Sequence, residues 1–454
     1  MKLANVKVWL NMHRKYVLGG LLAVVALMAL FSLKTGGDEL ERPERRAPAT
    51  SSLGAAMTLY YWKHQKVKAV DYDYWPRATS NKYLAFKSWH AGFNNERISL
   101  ELAFIFAALT NRTLVLPPGY RHYNLKNFMY EKFFELEDMN KAMPVITYAE
   151  FAEKEGITGS YDNIADKATV LKWPDFSHSK SIFVYPSIPD REKEPDEWNK
   201  MEKFARKRRM GILRDLKTDP ALANDRIVYF PDHQLFTHFY AYIYIRDPHL
   251  DRYLKRLVRD HVHLRSDIYD TAQVILDAMP EKFYTIHFRR GDFQYKNQRT
   301  ITGETIAANV KQLIPHGSTV YLATDEQDMK VLHTEFLKYF TTDYKVIMYK
   351  DYAHLVEQYI QPNWIGILEQ IICSRGIAFV GTKLSTYSGY ITRLRGYSPD
   401  IADKNIYFTD SKYPEGYNDD RMFSKQWPRW GDYWLDHGLW AREFEEVWEG
   451  IDEP

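Results

Sequence analysis

Residues 284–293 have the sequence Tyr284-Thr285-Ile286-His287-Phe288-Arg289-Arg290-Gly291-Asp292-Phe293, and this stretch decides the fold. Its first half is apolar and β-prone, which predicts a buried strand. Its second half gathers a histidine, two arginines, a glycine and an aspartate at the point where that strand ends. Ligands of open α/β sheets bind at the carboxyl ends of the strands. We therefore expect a binding site at this edge of a sheet.

The two adjacent arginines, Arg289 and Arg290, allow two interpretations. A guanidinium group stays charged and carries five hydrogen-bond donors, so both side chains cannot be buried without acceptors. One interpretation is a cluster of salt bridges with nearby carboxylates. The other is a clamp for phosphate or diphosphate, whose oxygens match the guanidinium fork. The remaining motifs decide between the two.

A second motif lies earlier in the chain, where Gly92 is followed by Asn94 and Asn95. The preceding residues 83–86 predict a strand, and residues 98–109 have the apolar spacing of a helix. A short strand then ends at two prolines, which completes a βαβ unit. A glycine and two compact amides at the start of a helix favour an anion. An asparagine that only caps the helix would give the same pattern.

A third motif follows a second series of alternating strands and helices after residue 300. The last predicted strand, 377–380, leads into Gly381-Thr382-Lys383-Leu384-Ser385-Thr386-Tyr387-Ser388-Gly389 and then a helix. Hydroxyls and a glycine at this point indicate an anion site, with a Ser/Thr cap as the simpler alternative. Two such α/β units predict two Rossmann-like domains that face each other across a cleft. Dinucleotide-binding and P-loop fingerprints are both missing from the sequence, which disfavours oxidoreductases and kinases.

The segments between the motifs give two further predictions of helices. Residues 128–139 are amphipathic, and residues 254–279 also have a helical pattern. The basic run at 203–209 is interpreted as the solvated face of a helix.

The composition bounds the class of protein. The chain has 454 residues, of which 45% are hydrophobic and 26% are charged, enough for two globular domains. The net charge of +2 gives no support for a nucleic-acid partner. Cys373 is the only cysteine, which excludes an intramolecular disulfide framework and a paired-cysteine metal site.

The N-terminal segment predicts a membrane anchor. Residues 1–15 are basic and form the predicted cytoplasmic tail, and residues 16–33 are uncharged and long enough to span about 27 Å as a helix. A cleaved signal peptide is the alternative, but the apolar run is longer than usual and lacks a clear cleavage site. Residues 34–58 have the composition of an unfolded stem. We expect a single-pass type II protein of the Golgi membrane, with the endoplasmic reticulum as the alternative.

The folded part is divided at residue 265 in this interpretation. An N-terminal Rossmann-like domain covers residues 59–265, and a C-terminal one covers residues 266–454 and includes the C-terminal helices. Asn111 belongs to the only N-x-[ST] sequon and is the one candidate for N-glycosylation.

Together, the motifs resemble those of the GDP-fucose-dependent fucosyltransferases, most of all the protein O-fucosyltransferase superfamily, with kinship to the α1,6-fucosyltransferases. The resemblance rests on four stretches that fall in the family's order, residues 92–97, 287–292, 322–326 and 381–388. It implies a GT-B fold behind the anchor and stem. It also implies an inverting transfer of fucose from GDP-fucose to a hydroxyl of a protein (Ser/Thr) or glycan acceptor, with no metal or other cofactor. The N-terminal domain would then lie on the acceptor side and the C-terminal domain on the GDP-fucose side.

The resemblance also implies roles for the residues that match the family's motifs. Arg289 would hold the β-phosphate and offset the charge of departing GDP, and His287 would line the nucleotide site. Glu369 would accept hydrogen bonds from guanine, where relatives carry an aspartate. The turn and the hydroxyl segment would contact the diphosphate through Gly92, Asn94, Asn95, Ser385, Thr386 and Tyr387.

One position departs from the family. Some relatives have a glutamate, proposed as the general base, directly before the Gly-Phe-Asn turn, and this chain has Ala91 there. His90, Glu96 and Asp292 are the substitutes we consider as catalytic residues. Two other functions stay open on the sequence, namely a catalytically silent lectin-like or scaffold protein and a transferase for another nucleotide sugar.

Overall fold

The structure is a computed structural model that divides the chain at residue 45. Every residue described below belongs to the part that begins at residue 45. The structure describes residues 59–63, 81–87, 91–122, 125–170, 181–185, 190–207, 211–215, 224–231, 244–291, 301–311, 313–382, 385–398, 401, 405–408, 443 and 447–453. No helix within these ranges is both long and apolar enough to cross a membrane. The predicted anchor at 16–33 and the whole predicted stem at 34–58 lie outside them.

Short strands alternate with helices along the described part of the chain. The strands are β1 (Tyr83–Phe86), β2 (Thr113–Leu116), β3 (Tyr120–His122), β4 (Lys126–Phe128), β5 (Val145–Thr147), β6 (Thr169–Val170), β7 (Ser181–Tyr185), β8 (Gly211–Asp215), β9 (Ile227–Phe230), β10 (Tyr244–Ile245), β11 (Tyr284–Phe288), β12 (Thr319–Thr324), β13 (Lys345–Ile347), β14 (Phe379–Thr382) and β15 (Asn405–Phe408).

The helices that connect these strands vary from one turn to nearly five turns. The α-helices are α1 (Phe93–Leu109), α2 (Leu136–Ala142), α3 (Tyr148–Glu155), α4 (Pro195–Lys207), α5 (Pro248–His261), α6 (Ser266–Ala278), α7 (Gly303–Val310), α8 (Met329–Leu332), α9 (Lys338–Phe340), α10 (Tyr349–Val356), α11 (Ile365–Ser374) and α12 (Thr386–Tyr397). A π-helical turn, His333–Leu337, joins α8 to α9. Short 3-10 turns are found at Tyr61–Lys63, Tyr130–Lys132, Tyr161–Asp166 and Pro362–Trp364.

Two five-stranded parallel sheets organise the fold. The first has the strand order β5-β2-β1-β9-β6, and the second has the order β13-β12-β11-β14-β15. In both, every pair of neighbouring strands is parallel. The central strands β1 and β11 are almost completely buried and largely apolar, as parallel sheets covered by helices require, although β11 also carries Thr285 and His287. The predicted α/β class with parallel sheets is therefore confirmed.

Two smaller sheets complete the described strands. Strands β10, β7 and β8 form a parallel three-stranded sheet, and β3 and β4 form an antiparallel hairpin. In the sequence, the hairpin directly follows β2 of the first sheet.

Local sequence signals explain where several helices begin and end. Asp247 caps α5 because its carboxylate accepts from the backbone N–H groups of His249 and Leu250. Thr147 and Glu150 form a reciprocal capping box at the start of α3. That helix ends at Gly156, whose φ of 60° is the left-handed conformation that glycine adopts without strain.

The prediction of one helix over 128–139 is wrong. Phe128 ends strand β4, where it pairs with Tyr120, and a helix forms only from Leu136. The aromatic residues of this stretch pack together around Phe93 rather than along one helical face, and Phe93 stacks on Phe134 at a centroid distance of 5.8 Å. Tertiary packing of rings thus overrides the helical pattern.

The helix predicted over 254–279 is interrupted. Helix α5 ends at His261, and α6 begins at Ser266. Between them, Leu264 forms an isolated bridge with Phe134, and the ring of His263 stacks on Trp62 at 3.8 Å. These contacts hold the connection in an extended form.

Helix α1 is almost completely buried, since all of its residues except Asn95 are buried. Its charged residues therefore need internal partners. Arg97 pairs with Glu101 at 2.6 Å and with Glu443 at 3.3 Å, and Arg393 pairs with the same carboxylates at 2.6 and 2.7 Å. We call these four residues the buried charge cluster. It joins α1 to α12 and to the C-terminal segment, and its formal charges sum to zero.

Candidate functional site

The candidate site lies where the strand order of the second sheet reverses. The chain passes from β11 to β12 and β13 on one side and then returns to β14 and β15 on the other. The crevice at such a switch point, outside the carboxyl ends of the strands, is the common ligand site of open α/β sheets. Here the ends of β11 and β14 bring His287 and Arg289 next to Thr382 and Ser388.

Hydrogen bonds tie the ends of these two strands together. The Nδ1 atom of His287 lies 2.7 Å from the Oγ of Ser388, which also accepts from the backbone N–H of Thr382 at 2.9 Å. The Thr382 hydroxyl donates to the carbonyl of His287 at 2.8 Å and accepts from the backbone N–H of Arg289 at 3.0 Å. The backbone at Arg289 is thus fixed by a side chain of the neighbouring strand.

His287 is uncharged in this environment. It is 3% exposed, and burial together with the charge of Arg289 lowers its pKa well below the ordinary value. Its ring packs against that of Tyr387 at a centroid distance of 4.4 Å. The fixed positive charge near the end of β11 is therefore carried by arginine rather than by histidine.

Asp325 positions Arg289. The carboxylate of Asp325, which follows β12, accepts from the backbone N–H of Arg290 at 2.6 Å and pairs with Nε of Arg289 at 3.3 Å. A Cβ atom at position 291 would collide with Asp325, so this approach requires Gly291. The side chain of Arg289 remains 25% exposed. Its backbone and Nε are held in place, while the guanidinium group can still reach solvent.

Arg290 has a different environment. Its side chain is 7% exposed, its guanidinium lies 4.1 Å from the centre of the Phe288 ring, and it donates to the carbonyl of Ile301. Glu335 of the π-helical turn is its acidic neighbour at 3.6 Å. These contacts bind Arg290 to the core of the second sheet.

The turn at Gly92 is held from both sides. The backbone N–H of Ala91 donates to Glu96 at 3.0 Å, and the carbonyl of Ala91 accepts from Nε2 of His122. Glu96 is fully buried and also accepts from the hydroxyl of Tyr130 at 3.2 Å. The structure therefore places Glu96, one of the three substitutes for a general base, in the support of the turn.

Neither asparagine caps helix α1. The N-cap residue is Gly92, which has no side chain with which to cap the helix. Asn94 and Asn95 lie in the first turn of the helix. The side-chain oxygen of Asn95 is buried and has no hydrogen-bond partner among the described residues. Asn94 is 5% exposed, and its oxygen accepts from Gln370 of helix α11 at 3.3 Å. The capping alternative for these two residues is thus not what the structure shows.

The hydroxyl segment at 381–389 also lacks a capping side chain at the start of its helix. Ser385 occupies the N-cap position of α12, yet its side chain makes no capping bond. The first backbone N–H groups of the helix, beginning at Thr386, have no partner within the helix, as at any helix start. The hydroxyl of Tyr387 donates to the carbonyl of Gly366 at 2.7 Å. The start of α12 therefore lies beside His287, and the positive end of a helix dipole favours an anion there.

Glu369 is a buried acid on helix α11. Its carboxylate accepts from the hydroxyl of Tyr321 at 3.0 Å, and it is 9% exposed. Burial raises its pKa to about 8, although the bond from Tyr321 opposes the shift. Glu369 is next to Gln370, whose amide also donates to the carbonyl of Tyr387 at 3.0 Å. Helix α11 thus carries Glu369, the residue predicted to bind guanine, and also contacts the starts of α1 and α12.

The remaining predicted site residues are placed as follows. His90 and Asp292 lie outside the described residues. Asn111 occupies the turn between α1 and β2 with a φ of 52°, and Thr113 of its sequon is buried in the strand. Within the described ranges, no group of three or more His, Cys, Asp or Glu side chains is arranged to hold a metal ion.

Sequence reasoning missed three residues of this site. Thr382 and Ser388 lie within the quoted hydroxyl segment, but only the fold shows that they bind the end of β11. Asp325 lies in the quoted stretch 322–326, and a carboxylate directly after a buried strand is the signal that could have identified it.

The fold and the site define an α/β protein of the Rossmann type, with basic and hydroxyl side chains at a switch point. The family model described as GDP-fucose protein O-fucosyltransferase matches residues 83–398, more than half of the chain. The chain therefore belongs to the GDP-fucose protein O-fucosyltransferase family, and the predicted membership among the fucosyltransferases is confirmed.

Two curated relatives carry the name GDP-fucose protein O-fucosyltransferase 2. The protein of Caenorhabditis elegans is 23% identical over 377 residues, which cover 71% of this chain and 85% of that protein. The protein of Drosophila melanogaster is 28% identical over 105 residues, 22% of this chain and 21% of that one.

Two solved structures illustrate the structural similarity. POFUT1 in complex with GDP-fucose is 15% identical, covers 73% of this chain and 99% of its own, and has a TM-score of 0.42. The fucosyltransferase NodZ from Bradyrhizobium is 15% identical, with coverages of 73% and 96% and a TM-score of 0.38.

Glu369 predicts a pH dependence of stability. In the unfolded chain this carboxyl ionises near 4.5, whereas the folded protein keeps its proton up to about pH 8. Between these values the folded state binds more protons, so stability falls as pH rises, by up to ~1.4 kcal/mol per pH unit. Glu369→Gln removes this titration, and its stability relative to the wild type should increase from about pH 5 to about pH 8 in urea unfolding.

The matched control is Glu137→Gln, since Glu137 is 82% exposed. Its difference from the wild type should stay small at every pH. If the Glu369→Gln difference were equally flat, the buried acid would not be protonated in the folded state.

Proposed function

We propose that this protein transfers fucose from GDP-fucose to a hydroxyl of a protein (Ser/Thr) or glycan acceptor, with inversion and without a metal ion. The observation that carries the proposal is Arg289 at the switch point, held by Asp325 beside a neutral His287. An exposed cation at this place suits a diphosphate leaving group. Family membership supports the same donor.

The proposed chemistry is a direct displacement. The acceptor oxygen forms a bond to the anomeric carbon of fucose from the face opposite GDP, while the bond to the β-phosphate oxygen breaks. The electron pair of that bond leaves with GDP, and the acceptor proton goes to a base. Negative charge on GDP grows during the step, so a positioned cation stabilises the transition state more than the ground state.

This chain's residues would divide the work of binding the donor. Arg289 would contact the β-phosphate, and the backbone N–H groups at the start of α12, after Ser385, would contact the diphosphate. Glu369, protonated in the ligand-free protein, would ionise when guanine binds and would then accept from the donor edge of guanine. The turn at Gly92, with Asn94 and Asn95, would close the site from the first sheet in a GT-B arrangement.

Metal independence follows from the same charge argument. An arginine that offsets the charge of the leaving diphosphate performs the role that Mg²⁺ or Mn²⁺ performs in other transferases. Glu96 supports the Gly92 turn, so we favour His90 or Asp292 over Glu96 as the base.

A second candidate function is a GDP-sugar-binding protein without transferase activity. The observation that favours it is Ala91, which stands where some relatives have a glutamate. Its backbone is fully engaged by Glu96 and His122, so this position supplies no proton acceptor.

The central experiment combines binding and transfer. Thermal melts with GDP, UDP and CMP should show a selective rise of the melting temperature with GDP, because a ligand stabilises only the state that binds it. Fucose transfer from GDP-fucose to protein-domain and glycan acceptors should then be detected, and it should persist in EDTA. Binding of GDP without transfer would favour the second candidate, and a loss of activity restored only by Mn²⁺ would contradict metal independence.

The location of the protein is part of the proposal. The basic residues before the apolar run at 16–33 support a type II anchor, which would place the catalytic part in the lumen of the Golgi or, as the alternative, of the endoplasmic reticulum. Protease added to intact microsomes should spare the chain after Lys34. Digestion of the catalytic part in sealed vesicles would overturn this topology.

The two adjacent arginines should respond differently to mutation. Arg289→Ala should lower turnover about a hundredfold or more, as the loss of one preorganised transition-state donor does, with little loss of stability because the side chain is partly exposed. Arg289→Lys should recover little, since an ammonium cannot present the bidentate fork. Turnover and melting temperature are measured for each variant.

Arg290→Ala is the matched control. Because Arg290 is buried and bonded to Ile301, its loss should lower the melting temperature and change turnover per folded molecule much less. Near-normal turnover of folded Arg289→Ala would remove the basis of the mechanism.

A further inference from the structure

Gln370 is a buried residue to which the mechanism above gives no role. It lies on α11, is 0% exposed, and uses its amide N–H groups in two directions. One donates to the side-chain oxygen of Asn94 at 3.3 Å, and the other donates to the backbone carbonyl of Tyr387 at 3.0 Å. A single side chain thus connects the first turn of α1 with the first turn of α12.

The bond from Gln370 determines how the amide of Asn94 is oriented. The Asn94 oxygen accepts from Gln370 and also from Nε of Arg97 at 3.4 Å. Two donors on the oxygen fix which end of the amide faces them, because an amide nitrogen in that place would oppose donor to donor. The NH₂ group of Asn94 is therefore turned away from both donors.

Stability alone does not explain a glutamine at position 370. Its own side-chain oxygen is buried and has no hydrogen-bond partner among the described residues. A buried acceptor without a partner is unfavourable, and an apolar side chain of similar length would avoid it. Local rules of this kind are broken mainly where function requires it.

We propose that Gln370 is a positioning residue for the donor site, which acts by holding the Asn94 amide so that its NH₂ group donates to an oxygen of the nucleotide diphosphate. The inference rests on the proposed function, since it takes GDP as the ligand. Two adjacent residues of helix α11 would then have different roles. Glu369 would bind guanine, and Gln370 would position the turn that binds the diphosphate. The turn of the first sheet is thereby set by a residue of the second sheet's helices.

The test is a double-mutant cycle on GDP affinity, measured by calorimetry on the full chain. Gln370→Met keeps the length of the side chain but removes its donors, and it should weaken GDP binding about tenfold. Asn94→Ala should weaken it by at least as much. The double variant should be no weaker than Asn94→Ala alone, because Gln370 acts through Asn94.

Melting temperatures separate positioning from structural support. Gln370→Met should melt no lower than the wild type, since it also removes the partnerless oxygen. The control is Gln273→Met on α6, because Gln273 is likewise buried with a partnerless oxygen but donates to Asp277 of its own helix. This control should leave GDP affinity unchanged.

The outcomes are distinct. Unchanged GDP affinity of Gln370→Met, or additive effects in the double variant, would overturn the positioning role while the proposed function stands. Weakened binding together with a lower melting temperature and an equal loss in Gln273→Met would assign Gln370 to general packing. A wild-type protein that does not bind GDP would overturn the proposed function itself.

Discussion

The buried charge cluster is the constraint on which the rest of the structure depends. Arg97, Glu101, Arg393 and Glu443 are at most 1% exposed, and each arginine contacts both carboxylates. Removing one partner from such a group leaves a buried charge uncompensated, which costs about 3–5 kcal/mol. Helix α1, helix α12 and the C-terminal segment are therefore stable in this form only when all three are assembled. Burial raises the pKa of Glu443, as does the charge of Glu101 to a smaller extent, and the two arginines oppose that shift.

The buried charge cluster contacts the candidate site through the side chain of Arg97. Arg97 donates to the oxygen of Asn94, stacks on the ring of Tyr390 at 3.8 Å and is held by Glu101. The starts of α1 and α12 carry several polar groups of the site, and these two helices are the ones that the cluster joins. A change in the packing of the C-terminal segment would thus be felt at the Gly92 turn. Fold stability and site geometry share one set of contacts.

The sequence predicted the parts of this structure that depend on local pattern. The strands at 83–86 and 113–116 match their predictions because short apolar runs between turn signals leave few alternatives. The prediction of a helix over 128–139 failed because the aromatic rings of this stretch pack on residues of other elements, and no local pattern encodes those contacts. His287 and Arg289 were identifiable since their motif is contiguous. Gln370 was not, because its meaning comes from Asn94, 276 positions earlier, and Glu443 lies 346 positions from Arg97.

The buried arginines at the amino ends of the strands have different surroundings from Arg289. At the amino ends of β1 and β9, the fully buried Arg112 donates to the carbonyls of Tyr83, Asp225 and Arg226. Before β14, Arg395 donates in the same way to three carbonyls between α11 and the strand. These backbone acceptors are therefore satisfied by the protein itself. At the opposite edge Arg289 is held by a carboxylate and keeps a quarter of its surface exposed. An arginine in that position can exchange solvent for an anion without any cost to the packed core, which is what a reversible diphosphate site requires.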